Sequence, residues 1–154
     1  MRKRLAVLSA ALTLSPAIAE AAACRLEQAT FRPRFSAEHF VLRSTRDGDH
    51  LRFEIAIRRT GETFPFRVQV DGRTGEGTIE AITDGGGRNT GIRSSFKLYD
   101  PKGLNTSPSA EIGHVSFYDL GRAFVDFRLR ERGESGPYTS PPSGVWRVSE
   151  CRSN

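Results

Sequence analysis

Apolar and polar residues alternate strictly along HLRFEIAIRR, from His50 to Arg59. Leu51, Phe53, Ile55 and Ile57 point one way, and Arg52, Glu54 and Arg58 point the other. A period of two places successive side chains on opposite sides of an extended chain, so this stretch can bury one face of a strand. The same rule runs through TFPFRVQVD, with Phe64, Phe66, Val68 and Val70 against Arg67 and Gln69. It runs through GIRSSFKLYD, with Ile92, Phe96 and Leu98 against Arg93 and Lys97. RAFVDFRLR follows it too, with Ala123, Val125, Phe127 and Leu129 against Asp126, Arg128 and Arg130. Residues 26–32, 39–45, 77–83, 111–119 and 145–150 are weaker strand candidates.

Short strands at near-regular spacing, about eight or nine in all and separated by Gly-rich turns, predict an all-β chain folded as a single antiparallel β-sandwich or small β-barrel. No stretch after residue 24 shows a sustained helical period, although SPSAEIG has room for one helical turn. A loop over Arg59-Thr60-Gly61-Glu62 would pair Ile57 with Phe64 and Ile55 with Phe66, and set Glu54 opposite Arg67. A turn at Leu120-Gly121 would set Phe117 against Phe124. Pro65 has no N–H to give a ladder and predicts an edge or a bulge at that point.

The start of the chain has a different character. Arg2, Lys3 and Arg4 precede an apolar run from Leu5 to Leu14, Pro16 follows, and Ala17-Ile18-Ala19 supplies small residues at a cleavage site. This pattern predicts a signal peptide over residues 1–19, with residues 20–154 as one exported β domain. The apolar run is too short to span a bilayer, and no other run approaches transmembrane length. Cleavage after Ala19 would remove three basic residues and no acidic one, and with them most of the net charge of +5. Nucleic-acid binding is therefore not expected.

The chain has two cysteines, Cys24 and Cys151. An even count in an exported chain predicts one disulfide, here clasping the beginning of the domain to its end. The competing reading takes Ala21-Ala22-Ala23-Cys24 as a lipid-attachment motif, which it resembles only distantly because Ala21 stands where Leu is usual. Lipidation of Cys24 would also leave Cys151 unpaired.

No motif assembles a catalytic set. Ser94-Ser95-Phe96-Lys97 has the S-x-x-K spacing of acyl-transfer enzymes, but on a strand Ser94 and Lys97 fall on opposite faces. His39, His50 and His114 show no metal-ligand spacing, so no metal and no cofactor is expected. The Gly-rich loop Asp84–Gly91 lacks the Lys-Ser/Thr ending and the following helix of a phosphate loop. Arg52, Arg58 and Arg67, on the solvent face of the first hairpin, could recognise an acidic partner through charge-assisted hydrogen bonds. Arg88 in the Gly-rich loop and Tyr138 in the Pro/Gly/Ser-rich segment 131–144 complete the candidate binding residues.

The expectation is a small exported, periplasmic or secreted, non-catalytic binding or accessory protein of the bacterial envelope, such as an inhibitor or interaction module, acting on a protein or an envelope polymer through loops or a sheet face. The alternatives are a barrel that carries a small apolar ligand, suggested by the ten phenylalanines, and a hydrolase built around His114 or His50.

Overall fold

The computed structural model describes residues 24–82, 90–133 and 139–153. The expected leader, Arg88 and Tyr138 lie outside the described residues. The strands, in chain order, are β1 (Cys24–Arg25), β2 (Ala29–Pro33), β3 (Phe40–Asp47), β4 (His50–Ile57), β5 (Glu62–Val70), β6 (Glu76–Ala81), β7 (Arg93–Tyr99), β8 (Glu111–Ile112), β9 (His114–Phe117) and β10 (Gly144–Cys151). One helix, α1 (Leu120–Arg132), lies between β9 and β10.

Eight of the strands close into an antiparallel barrel in the order β10-β2-β3-β4-β5-β6-β7-β9, while β1 and β8 form a separate pair. Of the two architectures expected, the barrel is the one observed. Its closing seam is β2 against β10, in register from Trp146↔Pro33 to Cys151↔Ala29 with one irregularity after Val148. Closure gives the first and last barrel strands a partner each and leaves no long sheet edge exposed.

The period-two faces build the interior. Phe31, Phe53, Phe66, Phe96, Phe117 and Trp146 are essentially fully buried. Ring contacts among them are edge-on or tilted, at 5.6 Å for Phe53 and Phe96 and 5.9 Å for Phe117 and Trp146. Each such ring removed from water contributes roughly 1.5–3 kcal/mol, so the interior rings dominate the packing energy. Gly77 makes room for them, since a Cβ there would lie 2.6 Å from the Phe96 ring.

Three expectations are corrected. Residues 122–130 are helical rather than a strand. Leu120, Phe124, Phe127 and Arg128 are all buried, and their i, i+4, i+7, i+8 spacing is one helix stripe. Gly133, at φ +69°, ends the helix by donating its N–H to the Leu129 carbonyl. Phe124 meets Phe64 at 5.0 Å and Phe66 at 6.3 Å, so α1 plugs one mouth of the barrel. Burial of Arg128 is the second correction, because alternation had put it in solvent.

The third concerns the β4–β5 hairpin, whose register is Ile57↔Glu62, Ile55↔Phe64, Phe53↔Phe66 and Arg52↔Arg67. The loop has the expected length but spans residues 58–61, closed by the Gly61 N–H on the Ile57 carbonyl. The inward faces are unchanged, because a two-residue shift preserves parity. The cross-strand partners do change, and Glu54 faces Pro65 instead of Arg67. Pro65 accepts a hydrogen bond from the Ile82 N–H just past Phe66↔Ala81, the last β5–β6 pair, so its missing donor falls at a ladder end.

The opposite mouth is closed where the first and last described strands meet. Cys24 and Cys151 form a disulfide across 5.6 Å between their Cα atoms. The bond engages the sulfur that a lipid anchor on Cys24 would need. Beside it, Arg152 donates side-chain hydrogen bonds to the carbonyls of Glu27, Gln28 and Ser44. Among the described residues, no helix is long and apolar enough to cross a membrane.

Candidate functional site

Cross-strand ion pairs cover much of the outer wall. Arg43 reaches Glu54 at 3.5 Å, Arg93 reaches Glu80 at 2.9 Å and Lys97 reaches Glu76 at 2.9 Å, each pair directly opposite in register. The hydrogen bond from Lys97 to Glu76 raises the lysine pKa above its usual value. Opposite charges facing one another across a ladder contribute a few tenths of a kcal/mol, and like charges there repel.

Arg52 and Arg67 break this arrangement. They form the last registered pair of the β4–β5 ladder, both are exposed, and they face each other. Arg52 has Asp47 at 2.9 Å. Arg67 faces Glu80 on its other side, but that carboxylate is engaged by Arg93. Among the described residues Arg67 has no ion-pair partner. A second like-charged pair, Arg32 and Arg147, sits inside a continuous stretch of ladder, and Arg32 is tied to the Ala37 carbonyl and to Glu150.

Beyond Arg52 and Arg67 the wall opens. The β3–β4 hairpin stays paired to Asp47↔His50 and the β5–β6 hairpin to Val70↔Gly77, but no register joins Leu51 to Val68 or His50 to Gln69. A cleft of about 530 Å³ lies here, lined by His50, Leu51, Arg52, Arg67, Val68, Gln69 and Ile82. Its described lining carries two guanidiniums and no carboxylate. A smaller hollow of about 230 Å³ adjoins it across Arg67 and Gln69, bounded by Thr78, Glu80 and Arg93.

The sequence candidates are thus divided. Arg52 and Arg67 come together at the cleft. Arg58 lies six residues further along the chain, roughly 20 Å away at the rise of a strand, where its N–H bonds the His39 carbonyl near the helix-plugged mouth. Leu51, Val68 and Ile82 also line the cleft, although the period of two places Leu51 and Val68 on the core face and marks Ile82 only as part of the strand candidate 77–83.

The other candidate chemistry is dispersed. Ser94 is buried, donating to the Ser95 carbonyl and accepting from the Asp119 N–H, while Lys97 lies on the outer wall with Glu76. The His114 ring bonds the main-chain carbonyl of Asp100 at 3.2 Å. Among the described residues, no group of three or more His, Cys, Asp or Glu is placed to hold a metal ion. A hollow of about 480 Å³ at the disulfide mouth is lined by Glu27, Gln28, Thr45, Arg46, Arg152 and Ser153, but there the Arg152 guanidinium is taken up by carbonyls.

The fold therefore defines an all-β protein, an eight-stranded closed antiparallel barrel with one helix in its mouth. No protein-family model matches the chain, and no curated protein or solved structure is detectably similar to it.

Proposed function

We propose that the protein is an exported binding module that engages an acidic partner at the β4–β5 cleft. The observation that carries this reading is the facing pair Arg52 and Arg67, set where the ladder ends and a cleft begins. Two like charges directly opposite on a sheet cost stability. An anion bridging them would convert that repulsion into two charge-assisted contacts. Export is supported by the disulfide, since such bonds persist in oxidising compartments, and by the leader pattern of residues 1–19.

The test is calorimetric titration of the disulfide-intact protein with poly-L-glutamate at low and at high salt. Binding that weakens with salt and is lost in Arg67→Glu, but kept in Arg59→Glu, is the expected result. Arg59 is exposed on the loop at the other end of the hairpin, so the two variants change net charge equally. Equal losses in both variants would reduce the interaction to overall charge and overturn the site.

A further inference from the structure

Two loops at the helix-plugged mouth combine an exposed aromatic ring with unpaired cations. Residues 34–39 join β2 to β3, and residues 58–61 join β4 to β5. The loops are neighbours, because the Arg58 N–H donates to the His39 carbonyl at 2.9 Å. The Arg34 N–H donates to the Val145 carbonyl at 3.0 Å, which sets the start of β10 against the first loop. Phe35 is 73% exposed, the most of any large apolar side chain among the described residues, and Val145 is exposed as well.

The first loop is braced so that it holds this ring outward. The Arg32 guanidinium donates to the Ala37 carbonyl at 3.0 Å, and the His39 N–H closes a turn on the Ser36 carbonyl at 3.0 Å. Ser36 sits at a φ of +62°, a conformation that persists in a residue with a side chain only where its surroundings fix it. The Arg34 guanidinium lies 5.5 Å from the Phe35 ring centroid. A loop already fixed loses little freedom when its tip enters an apolar phase.

Charge completes the pattern. Arg34, Arg58 and Arg59 are all exposed, and among the described residues none of them forms an ion pair. Of the nearby carboxylates, Glu62 is taken by Arg128 and Glu38 lies 3.0 Å from His39. The cations on these loops therefore outnumber the carboxylates left to balance them. A folded protein partner would need a pocket for Phe35 and a placed carboxylate for each arginine. An anionic bilayer needs neither, because its headgroups meet cations wherever they lie and its acyl layer accepts the ring.

We infer that the β2–β3 and β4–β5 loops dock the barrel on an anionic lipid surface. Phe35 enters the acyl boundary, while Arg34, Arg58 and Arg59 lie among the headgroups. One ring and three cations give a reversible, salt-sensitive attachment and not a permanent anchor. The Arg52–Arg67 cleft lies toward the other end of the β4–β5 hairpin. A docked barrel thus holds that cleft away from the bilayer, and the inference stands independently of what the cleft binds.

Sedimentation of the disulfide-intact protein with vesicles of phosphatidylcholine, alone or mixed with phosphatidylglycerol, tests the docking. The protein should bind only the mixed vesicles, and less tightly as salt rises. Phe35→Ala should weaken binding about tenfold, and Arg58→Gln/Arg59→Gln about 25-fold. Arg46→Gln/Arg73→Gln removes the same charge from exposed positions at the disulfide end and should bind within about twofold of wild type. Phe35→Trp should shift its emission to the blue on mixed vesicles, with the buried Trp146 as a constant background. Thermal melts check that these exposed replacements leave the fold intact. No binding to mixed vesicles, equal losses in the two double variants, or an unshifted emission from Phe35→Trp overturns lipid docking. An equal loss of poly-L-glutamate binding in Phe35→Ala also overturns it, since the loops would then belong to a protein-binding surface. The cleft is read separately by poly-L-glutamate and Arg67→Glu, so either reading can fail while the other stands.

Discussion

Arg128 and Glu62 join across the helix-plugged mouth as a two-pronged ion pair, with the guanidinium nitrogens 2.8 and 2.5 Å from the two carboxylate oxygens. The arginine side chain is 2% exposed and the glutamate 25%. Arg128 also donates to the Thr139 carbonyl at 3.3 and 3.1 Å and lies 5.6 Å from the ring centroids of both Phe64 and Phe127. One buried cation therefore ties α1 to the start of β5 and to the chain leading into β10. It gives the plug a fixed orientation that apolar contacts alone would not specify.

Removing one partner of a buried pair leaves the other uncompensated, which costs about 3–5 kcal/mol. Arg128→Ala should approach that loss in urea unfolding. Glu62→Gln should lose less, because Glu62 is partly solvated. Arg128→Lys should not restore the wild-type midpoint, since a single ammonium cannot make the two-pronged contact. The double variant Arg128→Met/Glu62→Leu should be more stable than Arg128→Ala. Additive single losses with no coupling in the double-mutant cycle would deny the pair this role.

The disulfide acts at the other mouth. It closes a loop of 127 residues, for which chain entropy gives about 4–5 kcal/mol of stabilisation. Cys24→Ala/Cys151→Ala should lower the unfolding free energy by about that amount. Far-UV circular dichroism at low temperature should stay unchanged, because the β2–β10 seam closes the barrel independently of the sulfur bridge. A variant with no barrel signal would show instead that the seam depends on the clasp.

The strands and their buried faces were legible because a period of two is a local property. The two cysteines marked that the beginning and end of the domain meet, but not whether the sheet closes, because the β2–β10 ladder forms between segments almost a whole chain apart and alternation is the same in a sandwich and a barrel. The helix escaped notice because RAFVDFRLR satisfies two periods at once. Its alternation is regular, but Leu120, Phe124 and Phe127 also fall on one helical stripe, and Gly133 stands where a helix ends. Register in the first hairpin turned on Gly61, whose φ of +71° suits the last loop position. Placing the loop at 58–61 follows from that glycine and brings Arg52 opposite Arg67. Of the site, the two arginines were visible in sequence. The cleft between them depends on where a ladder stops, which alternation does not reveal.

Gly77 offers a test of the interior packing. A Cβ there would lie 2.3 Å from the Gln69 carbonyl oxygen and 2.6 Å from Cζ of Phe96. One of these obstacles is backbone and the other is a buried ring, so neither moves cheaply. Gly77→Ala should destabilise by about 1–3 kcal/mol, the usual cost of overpacking. Gly72, where a Cβ meets nothing within 4 Å, supplies the control. Gly72→Ala should change stability by no more than about 0.5 kcal/mol. Equal thermal shifts in the two variants would mean that the Phe96 ring has room to withdraw.

The β5–β6 turn should respond to acid. One Asp71 carboxylate oxygen accepts hydrogen bonds from the N–H groups of Arg73 and Thr74, each at 2.8 Å, and from the Thr74 hydroxyl at 3.2 Å. These bonds, that from the Thr74 N–H foremost, hold its pKa below the usual 3.8. A depressed folded value means that the ionised form favours the fold. That contribution is present above the unfolded value and disappears as pH falls through the lowered folded one. The turn has little freedom to compensate, because Gly75 packs so closely on the Thr106 carbonyl that a side chain would not fit. Asp71→Asn should therefore melt below wild type at pH 7, and the gap should narrow as pH falls below about 4. Tm measured between pH 7 and pH 2 checks this, and parallel profiles for the two proteins would show that the Asp71 charge does not hold the turn.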